Sequence, residues 1–200
     1  MKKPGLLFTI LVLLAACGGA ERPVAAVAMP DSHSAQVATS ILEAGGNAVD
    51  AGIAAAFSLA VTKPVAGNIG GGGFMLVFFE GNANFIDYRE TAPQLAHRDM
   101  YLDENGDVVE NASVIGHRAS GVPGTVAGMW IAHQRYGTKS WAELLAPAIR
   151  LAQEGFVVRD AQAQDLAEGF EFFGDEVNFA QHFAAMRGGE VFRQPDLART

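Results

Sequence analysis

A run of four glycines, residues 70–73, in the middle of an apolar region limits how this part of the chain can fold. Glycine loses the most backbone freedom on folding, so such a run is usually kept where the backbone adopts a positive φ angle or passes very close to another group. Arg89 follows downstream, in a polar cluster at the predicted end of a strand. Because arginine can bind a carboxylate through two parallel hydrogen bonds, the two features together indicate a pocket for a small anionic substrate.

Each feature also has a purely structural explanation. Glycines ahead of an apolar segment can form a tight entry loop to a buried strand, and Arg89 can form an ion pair with Asp87 or Glu90. A phosphate-binding loop is excluded, because such a loop follows a strand and ends in Gly-Lys-Ser/Thr at the start of a helix, whereas this run follows a predicted helix and leads into a strand. Residue chemistry alone therefore leaves a functional and a structural role for Arg89 equally open.

The composition is that of a folded, acidic protein. Half of the 200 residues are hydrophobic and 18% are charged, which is enough apolar material for the core of one ordinary domain. The formal net charge of −8 argues against a nucleic-acid partner, because such a partner requires a basic face on the protein.

The first residues are typical of a bacterial signal segment. Lys2 and Lys3 precede an apolar stretch, residues 6–16, which is too short to span a bilayer stably. The sequence Leu-Ala-Ala-Cys at residues 14–17 resembles a lipobox, and it contains the only cysteine of the chain. An intrachain disulfide is therefore excluded, and the cysteine is a candidate for lipid attachment.

This signal predicts how the N-terminus is processed. Residues 1–16 would be removed, Cys17 would be diacylated, residues 17–30 would form a flexible tether, and residues 31–200 would form the folded body. Two or more acyl chains hold a protein firmly on a membrane. We therefore expect a periplasmic protein on a lipid anchor, with the outer membrane preferred because Gly18 follows the cysteine where Asp would favour the inner membrane.

Capping residues and periodicity predict two helices before the glycine run. The first begins at Asp31 or Ser32 and continues to about Leu42. The second begins after Asn47 and ends at Lys63, which precedes a proline. Apolar residues surround the second helix on nearly every side, so we expect it to be buried.

The region after the glycine run reads as a small sheet. Residues 74–79 are an unbroken apolar segment, which predicts a strand buried on both faces. Residues 81–84 would form a turn, and residues 85–89 would return as the neighbouring strand. Asn105 and Gly106 form a typical hairpin turn between two further short strands.

The remainder of the chain is predicted to be helical. A helix covers residues 125–136, Ser140 and Glu143 form a capping box for the next one, and Pro147 is expected to begin a new turn. Residues 160–186 again have a helical pattern. Two helices, a small sheet and several further helices define an α+β fold that is incomplete, because a single hairpin is not stable by itself.

Three other patterns carry little chemistry. His33 lies between two serines, but helix capping explains those serines better than a hydrolase triad does. Asp103, Asn105 and Asp107 resemble the start of a calcium loop that lacks its glycine and its final acidic residue, so a polar turn is favoured. The histidines are scattered, and the sequence predicts neither a metal site nor a cofactor.

The chain resembles the γ-glutamyltranspeptidases, which are N-terminal-nucleophile hydrolases. The matching stretches, which occur in the order found in that family, are residues 33–61, 67–77, 87–93, 121–158 and 194–200. The resemblance implies a four-layer αββα sandwich and a precursor that cuts itself into a large and a small subunit. It also implies transfer of the γ-glutamyl group of glutathione or a related amide to a threonine at the start of the small subunit, and then to water or an amino acid.

The resemblance implies a role for Arg89, which would bind the α-carboxylate of the γ-glutamyl substrate. The catalytic threonine does not occur in residues 1–200, so the chain is expected to be the N-terminal part of the large subunit and to contain no catalytic residue. Its expected partners are the small-molecule substrate, the small subunit from the same precursor and, through the anchor, a membrane.

Two alternatives stay open at the level of sequence. The first is a related amide or β-lactam acylase of the same superfamily. The second is a truncated, non-catalytic lipoprotein. We also expect residues 1–200 alone to be poorly soluble, because the apolar strand would have unpaired edges.

Overall fold

The computed structural model describes residues 25–173 and 178–200 of the chain. The predicted signal segment, Cys17 and the first part of the predicted tether lie outside these residues. Val27 and Met29, which precede the first helix, pack against the hydrophobic core. Among the described residues, no helix has both the length and the apolar character that a membrane crossing requires.

The first helix, α1 (Ser32–Glu43), has the predicted N-terminal cap. The carboxylate of Asp31 accepts hydrogen bonds from the backbone N–H groups of His33 and Ser34, at 2.8 and 3.1 Å. These bonds satisfy two of the N–H groups that have no partner within a helix. Gly45, with φ of 80°, then reverses the chain just after the helix ends.

The second helix, α2 (Ala48–Thr62), forms the centre of the core, as its apolar sequence predicted. It begins with a capping box. The side chain of Asn47 accepts the backbone N–H of Asp50, and the side chain of Asp50 accepts the backbone N–H of Asn47. Ile53 is fully buried, and so are the neighbouring alanines. Helix α1 and two later helices pack around it.

Two glutamines from distant parts of the chain cap the C-terminal end of α2. The side-chain amide of Gln162 donates to the carbonyl of Thr62 at 2.6 Å, and that of Gln194 donates to the carbonyl of Val61 at 2.8 Å. The last carbonyls of a helix have no partner within it. The two glutamines supply these partners and fix the point at which the chain leaves α2 toward the glycine run.

The predicted hairpin is present, with a shorter turn than the sequence suggested. Strands β1 (Phe74–Phe79) and β2 (Asn82–Asp87) pair antiparallel. Only Glu80 and Gly81 form the turn, and both have positive φ angles, of 49° and 81°. Because this turn needs two residues, β2 begins and ends earlier than the predicted strand over residues 85–89.

The prediction that β1 is buried on both faces was wrong. Val77 and Ile86 lie on one face of the hairpin and are buried against the helices. Leu76 and Phe78 lie on the opposite face and are 72% and 75% exposed. Within the described residues no second layer covers that side. We call it the outer face of the hairpin, and it consists of Phe74, Leu76, Phe78 and Phe85.

The rest of the chain is mostly helical, as predicted. After a 3₁₀ turn at His117–Ala119 the elements in order are α3 (Thr125–Tyr136), α4 (Trp141–Glu154), β3 (Phe156–Val157), α5 (Asp160–Phe173), α6 (Phe179–Phe183), β4 (Val191–Phe192) and α7 (Pro195–Arg199). Strands β3 and β4 pair antiparallel, a contact that the sequence did not indicate. Pro147 lies inside α4 and does not begin a new turn.

A buried carboxylate connects α2 to the loop between α3 and α4. Asp50 accepts hydrogen bonds from the hydroxyl of Thr138 at 2.5 Å and from the N–H groups of Thr138 and Lys139 at 3.0 and 3.3 Å. It also accepts the N–H of Asn47 at 2.9 Å, and its side chain is fully buried. We call this group the Asp50 clasp. It fixes α3 and α4 on the N-terminal end of α2.

Candidate functional site

The structure brings the glycine run and Arg89 together, as the sequence suggested. The run continues the hairpin ladder beyond β1, because Gly73 and Tyr88 exchange two backbone hydrogen bonds, at 3.0 and 3.3 Å. Arg89 follows directly after this pair, so its backbone lies against that of Gly72. Two hairpin strands therefore present the arginine at their common end.

A third segment crosses the same point from the other side. Val122 exchanges backbone hydrogen bonds with Thr91, at 2.8 and 3.2 Å. The N–H groups of Gly124 and Thr125 then donate to the carbonyl of Gly71, at 2.8 and 3.0 Å. The backbone around Arg89 is thus enclosed between the glycine run and the start of α3.

Close approach, and not an unusual φ angle, explains the glycines at this crossing. A Cβ atom on Gly72 would lie 2.5 Å from the carbonyl oxygen of Tyr88 and 2.6 Å from the nitrogen of Glu90. A Cβ atom on Gly124 would overlap the same carbonyl of Tyr88. Neither glycine has a positive φ. Real Cβ atoms do not approach other atoms so closely, so these positions require the absence of a side chain.

The side chain of Arg89 points away from this crossing and is 61% exposed. Its Nε atom lies 3.4 Å from Oε2 of Glu90, and its Cζ atom lies 5.9 Å from the ring centre of Phe74. The structural alternative of an ion pair with Glu90 is therefore present. The carboxylate of Asp87 accepts the backbone N–H of Arg89 at 3.0 Å, and no ion pair of Asp87 occurs among the described residues.

The ion pair leaves the far end of the guanidinium available. Glu90 faces Nε, whereas Nη1 and Nη2 have no hydrogen-bond partner among the described residues. Oε2 of Glu90 is buried and has no hydrogen-bond donor there, so the nearby guanidinium is the charge that compensates it. A guanidinium held at Nε in this way can still bind a carboxylate through two parallel bonds at its terminal nitrogens.

The predicted pocket is not closed around Arg89. A cavity of about 490 Å³ lies beside the glycine run, and Gly67, Asn68, Gly70 and Arg193 are among the residues that line it. An apolar cavity of about 370 Å³ lies between α2, α4 and α7. Arg89 lines neither of them and faces open solvent in the described structure.

The remaining sequence candidates have structural roles or lie elsewhere. The capping residue is Asp31, whose carboxylate accepts the N–H of His33 at 2.8 Å and the hydroxyl of Ser34 at 2.6 Å, so Ser34 belongs to the helix cap. Asp103 accepts the N–H groups of Asn105 and Asp107, both at 2.9 Å, which confirms a polar turn. In residues 25–173 and 178–200 there is no group of three or more potential ligands that could hold a metal ion.

Sequence reasoning missed how Tyr88 is held beside Arg89. The Tyr88 ring packs against Gly73 in the glycine run and against Gly128 in α3. Gly124 is the N-cap of α3, and Gly128 lies four residues further along in the helix. Both glycines face Tyr88, so this helical spacing was the available signal. Burial raises the pKa of the Tyr88 hydroxyl above its ordinary value.

Comparison with known proteins identifies the family and the fold. The sequence profile of γ-glutamyltranspeptidase matches residues 34–200. Over 175 residues, which are 88% of this chain, the sequence is 55% identical to a glutathione hydrolase proenzyme of Pseudomonas aeruginosa. It is also 44% identical, over 87% of the chain, to a glutathione hydrolase proenzyme of Escherichia coli K12.

A solved structure shows the same fold. The γ-glutamyltranspeptidase from Pseudomonas nitroreducens complexed with L-DON superposes with a TM-score of 0.86 and 55% identity, over 88% of this chain and 52% of that one. The chain belongs to the γ-glutamyltranspeptidase family, and its fold is the α+β fold of the N-terminal-nucleophile hydrolases. It spans 31% of the length of each of the two glutathione hydrolase proenzymes.

Proposed function

We propose that this chain is the N-terminal part of the large subunit of an enzyme that transfers or hydrolyses the γ-glutamyl group of glutathione and related amides. The nucleophile is a threonine outside residues 1–200, released as the first residue of a small subunit by self-cleavage. The observation that carries this proposal is the match of residues 34–200 to the γ-glutamyltranspeptidase profile. Arg89, whose side chain is exposed at the end of the backbone crossing, supports it.

The role proposed for Arg89 is to hold the α-carboxylate of the γ-glutamyl group. Two parallel charge-assisted hydrogen bonds fix both the position and the orientation of a carboxylate. Since the α-carbon is separated from the reacting γ-carbonyl by two methylene groups, anchoring one end places the other at a fixed distance from the nucleophile. Glu90 supports this role by holding Nε from the opposite side.

Substitution of Arg89 in the full-length protein tests the proposal. Arg89→Ala removes two charge-assisted bonds, which together contribute about 3 kcal/mol, so we expect KM for a γ-glutamyl anilide to rise by roughly 100-fold. Self-cleavage into two chains should be unaffected. Arg98→Ala is a matched control, because Arg98 is 95% exposed and has a similar ion pair with Asp99, at 3.6 Å. Equal kinetics in the two variants would refute the assignment of Arg89.

We also propose that the mature protein is held on a membrane through lipid on Cys17, with the outer membrane preferred. The lysines, the short apolar segment and the Leu-Ala-Ala-Cys sequence support this proposal. Metabolic labelling with a radioactive fatty acid should label the wild-type protein, and Cys17→Ala should abolish the label. If the label persists in that variant, or if the wild-type protein carries none, the lipid anchor is refuted.

A further inference from the structure

The ring of Tyr88 occupies a slot whose walls are glycines. At one end of the ring, a Cβ atom on Gly73 would lie 3.1 to 3.3 Å from Cε2, the hydroxyl and Cζ. At the other end, a Cβ atom on Gly128 would lie 2.5 Å from both Cβ and Cδ1 of the tyrosine. The ring therefore fits only because two different segments lack side chains where they face it.

The backbone of Tyr88 is fixed together with its ring. It exchanges two hydrogen bonds with Gly73, and its carbonyl lies where a side chain on Gly124 would otherwise be. The hydroxyl group adds only a long contact of 3.4 Å to the carbonyl of Phe74. The aromatic ring, more than its hydroxyl, therefore determines how closely α3 approaches the end of β2.

Helix α3 is itself anchored at its far end, so it cannot easily move to accommodate a change at the slot. The side-chain amide of Asn47 donates to the carbonyl of Tyr136 at 2.6 Å. The Asp50 clasp fixes the loop that follows. Any group added between α3 and Tyr88 therefore displaces the strand end, which carries Arg89 as its next residue.

We infer that Tyr88 and Gly128 are positioning residues, which set the location of the Arg89 guanidinium through the packing of the Tyr88 ring against α3. The inference rests on the proposed function of Arg89 in binding a substrate carboxylate. A misplacement of about 1 Å in a binding group can lower a rate by roughly 100-fold. A single methyl group added at Gly128 would therefore weaken substrate binding without contacting the substrate itself.

The test compares two glycine-to-alanine changes in helices of the full-length protein. Gly128→Ala places a methyl group against Tyr88, whereas Gly52→Ala in α2 is the matched control because a Cβ atom there has no neighbour within 4 Å. We expect Gly128→Ala to raise KM for a γ-glutamyl anilide by about 10-fold or more. The 4-aminobutyryl anilide, which lacks the α-carboxylate, should be turned over by the variant as by wild type.

A double variant shows whether the effect acts through Arg89. In an Arg89→Ala background, Gly128→Ala should have no further effect on KM, because the group it displaces is gone. Tyr88→Phe keeps the ring and should retain the wild-type KM. If Gly128→Ala does not yield two chains, Tyr88→Leu is the second variant. It removes the ring from the slot and adds no atom that would overlap α3. The same rise in KM for the γ-glutamyl anilide is expected.

The inference and the proposed function fail in different ways. A wild-type protein that turns over no γ-glutamyl donor overturns the function, and the inference is then decided by a crystal structure of Gly128→Ala. The backbone of Arg89 should be displaced by about 1 Å in that structure, and an unmoved Arg89 overturns the inference. If the wild type is active, the inference is also overturned by equal KM values for Gly128→Ala and Gly52→Ala. It is likewise overturned if Gly128→Ala changes the turnover of the γ-glutamyl and 4-aminobutyryl anilides to the same extent.

Discussion

Replacing Asp50 by asparagine tests the role of the buried charge in the Asp50 clasp. The carboxylate accepts hydrogen bonds from three backbone N–H groups and one hydroxyl group. Its burial alone would raise the pKa, but the bonds from Thr138, Asn47 and Lys139 outweigh burial and hold the pKa of Asp50 below its usual range. The charged form therefore stabilises the native state.

The geometry of the clasp gives the size of the effect. An asparagine can direct its single oxygen toward the N–H groups of Thr138 and Lys139, which leaves its NH₂ group facing the N–H of Asn47. An unpaired buried N–H costs about 1–3 kcal/mol. The two retained bonds lose their charge assistance, at about 1 kcal/mol each. We therefore expect Asp50→Asn to lower the free energy of unfolding by about 4 kcal/mol at pH 7.

Urea unfolding of the full-length protein at several pH values is the appropriate assay. A carboxylate with a lowered native pKa contributes stability above its unfolded pKa, near 3.9, and loses that contribution as the pH falls through the native value. The difference between wild type and Asp50→Asn should therefore be largest at pH 5–7 and should shrink below pH 4. Asp165→Asn is the control, since Asp165 forms only a surface ion pair with Lys63, at 3.4 Å.

Two results would refute this reasoning about the clasp. The first is an Asp50→Asn variant as stable as Asp165→Asn at pH 7, because the four hydrogen bonds would then contribute nothing measurable. The second is a stability difference that stays constant from pH 7 to pH 3. A constant difference would show that the asparagine disturbs packing, and that the charge of Asp50 has no part in the effect.

Two further predictions concern the cap of α2 and the outer face of the hairpin. Gln162→Ala should lower the free energy of unfolding by about 2 kcal/mol, because it leaves the buried carbonyl of Thr62 without a donor. Urea unfolding measures this change. Gln181→Ala is the control, and since Gln181 is exposed its free energy of unfolding should stay within about 0.5 kcal/mol of the wild-type value. Leu76→Ser should increase the soluble fraction of an expressed 25–200 fragment, because it removes an exposed apolar side chain from the outer face. An unchanged soluble fraction would show that the outer face does not limit solubility.

Local signals in the sequence predicted the helices well. The caps at Asp31, Asn47 and Ser140 are formed by side chains within three residues of the groups that they bond, so the sequence contains both partners. The pairing of β3 with β4 was not predictable in this way. Each of these strands has two residues, and the pairing depends on bringing Phe156 next to Phe192 across the intervening helices.

The candidate site was predicted in its parts but not in its geometry. The sequence placed Arg89 at a strand end near four glycines, and both statements hold. It could not reveal that Gly124 and Gly128 approach Tyr88, because that contact depends on how α3 packs across the hairpin. The burial of β1 was predicted wrongly for a related reason. An apolar strand indicates that both faces are suited to burial, and does not indicate whether another layer of the described chain covers them.

The glutamine caps of α2 have a consequence for the order in which the protein folds. Thr62 and Val61 receive their donors from residues 100 and 133 positions further along the chain. The pairing of α1 with α2 and the hairpin involve close neighbours in sequence, and contacts of that kind form early. The end of α2, and with it the start of the glycine run, is therefore fixed only after the most distant segments have packed. We expect the C-terminal end of α2 to be among the last parts of this chain to become rigid, after the core around Ile53 has already formed.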